Sequence, residues 1–135
     1  MHFKGDSVKP SASSGRPENL EISTIKLPLA ALTSITHRIS GVILFVAIGT
    51  LLWMLDLSLA SEASFEWLSG FMDSTPARFV LWGILAALAY HMVAGCKHLL
   101  MDMGFGETKA AATRGAMAVI VTSAILIIAI GVYLW

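Results

Sequence analysis

The sequence predicts an all-α integral membrane protein with three transmembrane helices. Three observations carry that expectation. The 135-residue chain is 56% hydrophobic and only 13% charged, against about 25% charged in an average soluble domain. Its charges are also excluded from three windows, Ile39–Leu55, Phe79–Cys96 and Gly115–Trp135, of 17, 18 and 21 residues. A spanning helix needs roughly 17–25 mostly apolar residues. Finally, the third window has only Thr122 and Ser123 as polar residues in its middle. A soluble bundle helix would keep one polar face.

The expected organisation is a polar N-terminal tail over 1–24 and a single membrane domain over 25–135. Its helices fall at about 28–57, 76–103 and 114–135. Ser23 or Thr24 could cap the first helix, with Pro28 near its first turn. The stretch Asp56–Arg78 reads as a loop of some amphipathic character, with Phe65, Trp67, Leu68 and Phe71 beside Glu62, Glu66 and Asp73. Gly104 and Gly106 end the second helix, and Tyr133 and Trp135 read as interfacial anchors. The tail lacks an apolar core and does not read as a secretory signal peptide.

Basic residues orient the spans. Lys4, Lys9, Arg16, Lys26 and Arg38 precede or open the first span, and Lys97, Lys109 and Arg114 flank the second loop. The first loop has Arg78 alone, against four acidic residues. The positive-inside rule then places the N-terminus and the second loop on the cytoplasmic (or matrix) side and the C-terminus outside. The net charge of zero suggests no nucleic-acid partner, and the single cysteine, Cys96, excludes an internal disulfide. The chain has no Gly-rich phosphate loop, no paired carboxylates within a helix and no Cys/His spacing for zinc or an iron–sulfur cluster.

Two places concentrate polar chemistry. Ser34, His37, Arg38 and Gly41 lie at i, i+3, i+4 and i+7, one stripe of a helix entering the membrane. Arg38 and His37 so close to hydrocarbon are either interfacial snorkelling residues or parts of a functional site. Serine and arginine suit a ligand carbonyl that gains negative charge on reduction, as in a quinone. The histidine–arginine pair suits haem carboxylates.

The second place is His91, roughly 20 Å along its helix from Arg78 and 9 Å from Lys97 at about 1.5 Å per residue. Ala87, Ala94 and Gly95 surround it on one stripe. Small neighbours permit either close helix packing, with the imidazole bonded to another helix, or a haem lying against the backbone with His91 as axial ligand. His98 is about 10 Å away on the same face, so one helix cannot supply both axial ligands of one haem. Either a single haem takes its second ligand elsewhere, or there are two haems. His37 lies at the boundary end of the first helix and His2 in the tail, so a bis-histidine site would need a second chain. Asp102, at i+4, offers His98 a surface partner.

Two segments together resemble a known family. Arg16-Pro17, Lys26-Leu27-Pro28 and Ser34-Ile35-Thr36-His37-Arg38-Ile39-Ser40-Gly41 form the first. The second is Trp82-Gly83-Ile84-Leu85 with Ala89-Tyr90-His91-Met92-Val93-Ala94-Gly95-Cys96-Lys97-His98. From about Arg16 onward the chain resembles the cytochrome b556 membrane-anchor subunits of succinate dehydrogenase. The resemblance implies an anchor paired with a second anchor subunit in a helical bundle. It implies one haem b shared between them, with His91 as an axial ligand to the iron. It also implies His37 and Arg38 near the haem propionates, and Ser34 and Arg38 lining a ubiquinone pocket. Implied partners are the second anchor, an iron–sulfur subunit and a flavoprotein subunit, and the implied location is a bacterial inner membrane. One departure is Cys96-Lys97, where the family usually has an apolar residue and arginine; lysine keeps the charge and loses the planar fork. A fumarate reductase anchor, or a helical assembly anchor without haem, are the alternatives.

Overall fold

The computed structural model describes residues 27–135. The tail, the candidate caps Ser23 and Thr24, and Lys26 lie outside that range. Four helices make up the described part: α1 (Leu29–Ala60), α2 (Glu62–Met72), α3 (Thr75–Asp102) and α4 (Lys109–Leu134). Three of them, α1, α3 and α4, are long and apolar enough to cross a membrane, with 32, 28 and 26 residues. At about 1.5 Å per residue each exceeds the roughly 30 Å hydrocarbon core.

Local chemistry sets each boundary. Pro28 stands at the N-cap of α1 in extended backbone (φ −64°, ψ 149°), and its carbonyl accepts from the amides of Ala31 and Leu32. Only Ser61 separates α1 from α2, and it is extended (φ −166°). Its hydroxyl accepts from the Ser64 amide while the Ser64 hydroxyl accepts from the Ser61 amide. This reciprocal capping box starts a helix where the sequence suggested a loop. The Asp56–Arg78 expectation is thus corrected: α1 continues to Ala60, and α2 fills most of the remainder.

Ser74 caps α3 through the Ala77 amide. At its other end the Phe105 amide bonds the Leu100 carbonyl and the Gly104 amide bonds the Met101 carbonyl. That pair is a Schellman cap, and it requires the positive φ of 87° at Gly104. Thr108 caps α4 through the Ala111 amide. The expected start near Arg114 is corrected to Lys109. Backbone hydrogen bonding carries the helix beyond the charge-free window, with its charged first turns outside the apolar stretch.

Packing is built on small residues. Helix α3 lies against both α1 and α4, α4 also touches α1, and α2 tucks against the ends of α1 and α3. The buried positions are chiefly Thr33, Ser40, Ala47, Ala77, Ala94, Ala116, Val119 and Ser123. Small side chains let backbones approach closely, which drives helix association in a bilayer. Large apolar groups point outward: Phe45 is 78% exposed and Leu59 77%. Such a surface suits lipid or partner helices rather than water.

Away from the histidines, Tyr90 and Trp82 tie the spans through polar bonds. The Tyr90 hydroxyl donates to the Thr33 carbonyl at 3.1 Å, joining α3 to α1. The Trp82 indole donates to the Ile127 carbonyl at 3.1 Å, joining α3 to α4. Gly131 makes room for that indole, since a Cβ there would lie 3.2 Å from Trp82 Nε1. Phe79 meets Trp135 at 4.8 Å between ring centroids, so the C-terminus sits beside the start of α3.

Candidate functional site

The histidines gather where the first half of α1 crosses the second half of α3. On α1, Thr33, Ser40 and Ala47 recur every seven residues and are buried, which marks the face turned inward. His37 and Gly41 share that face. The His37 ring lies between His91 and His98 of α3, with centroids 4.1 Å and 5.2 Å away. Seven residues of helix separate the two α3 rings by about 10 Å, and one imidazole fits between them.

The sequence reading set His37 at the membrane boundary and His91 deeper. The crossing of α1 and α3 brings them to one level, stacked with 24° between ring planes. Stacked rings do not oppose one another across a metal, so these two cannot be the two axial ligands of one iron. Among the described residues no group of three or more His, Cys, Asp or Glu side chains could hold a metal ion. His98 faces His37, and no ion pair joins it to Asp102 among the described residues.

His91 is held from α1 at one edge of its ring. Its Nδ1 lies 3.0 Å from Ser40 Oγ and 3.2 Å from the His37 carbonyl oxygen. The Ser40 hydroxyl donates to that same carbonyl at 2.7 Å. Gly41 abuts the neighbouring carbon, where a Cβ would stand 3.1 Å from His91 Cε1. Ser40 was not singled out by the sequence reading; its signal is the seven-residue recurrence of small residues at 33, 40 and 47. The Nε2 of His37 is buried and has no hydrogen-bond partner. A Cβ added at Gly95 of α3 would lie 3.5 Å from it.

The predicted stripe divides. His37 and Gly41 turn toward α3, whereas Ser34 is half-buried and Arg38 exposed on the flank of that face. Neither Ser34 nor Arg38 has a side-chain hydrogen bond among the described residues. They offer a hydroxyl and a guanidinium one helical turn apart, open to whatever covers this flank. At the opposite end of the bundle, α1, α2 and α3 form a partly open apolar groove of about 250 Å³, lined by Thr50, Met54, Phe71, Pro76, Ala77 and Leu81 among others. It lacks charged side chains and lies far from the histidines.

Comparison with known proteins gives a consistent answer. Residues 12–130 match the family of the succinate dehydrogenase/fumarate reductase transmembrane subunit. The chain is 36% identical to the succinate dehydrogenase cytochrome b556 subunit of Coxiella burnetii, over 89% of this chain and 97% of that protein. It is 34% identical to the protein of the same name in Paracoccus denitrificans, over 82% and 85%. The corresponding protein of Rickettsia felis is 32% identical, over 82% and 86%. With its three apolar spans and this match along most of its length, the chain is a multi-pass membrane protein belonging to the succinate dehydrogenase/fumarate reductase transmembrane subunit family.

Proposed function

We propose that the chain is the cytochrome b556 anchor of a succinate:ubiquinone oxidoreductase, co-ligating one haem b and forming part of the ubiquinone-reduction site. The observation that carries this reading is the gathering of His37, His91, Ser34 and Arg38 at one end of the α1–α3 crossing. The relatives' name, cytochrome b556 subunit, supports the haem.

The residues fit that group. His91 has its Nδ1 engaged by oxygens, which leaves Nε2 for an iron, the arrangement usual in metal-binding histidines. The unpartnered Nε2 of His37 is a buried polar atom that a haem carboxylate would satisfy. Arg38, next in sequence, adds a charge-assisted donor for the same carboxylates. A second anchor subunit would supply the other histidine to the haem, since His37 is stacked on His91 rather than opposed to it. When bound, the haem would supply reversible one-electron chemistry.

Ser34 and Arg38 bind the quinone. The serine hydroxyl donates to a carbonyl oxygen, and the guanidinium stabilises the negative charge developing there as electrons arrive. Their position on an accessible flank supports a pocket completed by other chains. Succinate oxidation belongs to a flavoprotein subunit, and an iron–sulfur subunit delivers the electrons. The complex sits in a bacterial inner membrane, with the N-terminus of this chain cytoplasmic and its C-terminus periplasmic, as its basic residues direct.

The test compares two activities of the intact complex. Ser34→Ala and Arg38→Leu should lower succinate:quinone activity about 100-fold or more, the usual loss for one oxyanion-stabilising donor. Succinate oxidation with a soluble artificial acceptor should persist. Equal loss of both activities in an assembled complex would remove the pocket assignment.

A further inference from the structure

We infer that Ser40 is a positioning residue for His91, setting its ring orientation and donor strength toward iron. The inference rests on the proposed role of His91 as a haem ligand. It starts from three mutually bonded atoms: His91 Nδ1, Ser40 Oγ and the His37 carbonyl oxygen, at 3.0, 3.2 and 2.7 Å from one another.

One assignment of protons satisfies all three distances. The Ser40 hydroxyl gives its hydrogen to the His37 carbonyl, the shortest of the three contacts. The serine oxygen then has only lone pairs to offer His91, and the carbonyl oxygen never donates. Nδ1 must therefore carry a hydrogen, shared between two acceptors. A bare Nδ1 would face the carbonyl lone pairs at 3.2 Å with nothing between them. The tautomer follows from this heavy-atom network. With Nδ1 protonated, the neutral ring keeps its lone pair on Nε2, the atom left for a metal.

Ser40 is 5% exposed, so water cannot replace its hydroxyl. Gly41 of the same helix leaves the room at Cε1 that a Cβ would take, so the ring can come close enough to Ser40 to be held at its Nδ1 edge. A hydrogen bond from Nδ1–H also raises the basicity of the ligating nitrogen, which favours the ferric over the ferrous state. Ser40 thereby lowers the haem midpoint potential and tightens retention of the haem. A serine serving only to fill space and bond its own helix would do neither.

The experiment is a redox titration of the intact complex, followed optically and by electron paramagnetic resonance of the oxidised haem. Ser40→Ala should keep a b-type spectrum, because the His37 carbonyl still accepts from Nδ1. Its midpoint should rise. Loss of an outer partner typically costs 10–100-fold in metal affinity, and a tenfold loss confined to the oxidised form is about 59 mV upward. Should Ser40→Ala fail to assemble, Ser40→Cys, similar in size and a weak acceptor, must show the same upward shift. A parental midpoint and parental g-values in whichever variant assembles would overturn the role of Ser40. A parent complex without haem, or a haem signal persisting in His91→Ala, would instead overturn the ligand reading beneath it.

Discussion

Replacing Gly41 by alanine tests the α1–α3 crossing at its tightest point. The added methyl would stand 3.1 Å from His91 Cε1 and 3.7 Å from Nδ1. Carbon atoms rest at about 3.5–4.0 Å, so the first contact is short by roughly 0.4–0.9 Å. Either the ring retreats or the helices part. A ring displaced by that distance gives up its 3.0 Å bond to Ser40, worth about 0.5–1.5 kcal/mol. Forcing a packed interface apart costs about 1–3 kcal/mol. The control is Gly49→Ala on the same helix, where a Cβ meets nothing within 4 Å. Alanine favours a helix over glycine at both sites, so propensity cancels in the comparison. Gly41→Ala should therefore be less stable than Gly49→Ala by about 1–3 kcal/mol. The assay is the melting midpoint of the purified complex in matched detergent, read beside the visible spectrum. Gly41→Ala should melt several degrees below Gly49→Ala and show a perturbed haem band. Equal midpoints with identical spectra would refute the close approach of α1 to His91.

Other positions give independent checks. Trp82→Phe removes the indole bond to Ile127 and should cost about 0.6 kcal/mol, the mean for interhelical bonds in bilayers, and no more than about 1.7 kcal/mol; denaturation in mixed micelles measures it. Gly104→Ala places a side chain at φ 87° and should destabilise the α3–α4 turn by about 1–2 kcal/mol, seen as faster proteolysis there. For topology, a Cys96→Ser background carrying Glu62→Cys should react with a membrane-impermeant maleimide added outside, whereas Thr108→Cys should react only after the membrane is opened. The reverse labelling pattern would invert the orientation.

The spans were legible because hydrocarbon excludes charge, and that exclusion is written residue by residue at Ile39–Leu55, Phe79–Cys96 and Gly115–Trp135. Helix ends were less so. A helix continues wherever its amides find partners, so α4 begins at Lys109, ahead of the apolar window. Helix α2 escaped notice because it is short, and its capping box uses Ser64 where Glu or Gln is usual. His91 stood out by its depth, and Ser34, His37 and Arg38 by their spacing. The register of α1 against α3 was not legible, because it depends on packing between small residues far apart in sequence. That register stacks His37 on His91, turns Arg38 outward, and brings Ser40 to the imidazole.

The central claim is that His91 holds a haem iron. The reduced-minus-oxidised optical spectrum of the intact complex, parent beside His91→Ala, tests it most directly. The account predicts a b-type signal in the parent, lost in an assembled His91→Ala complex. A parent with no such signal, or a variant that keeps it undiminished, would contradict the account.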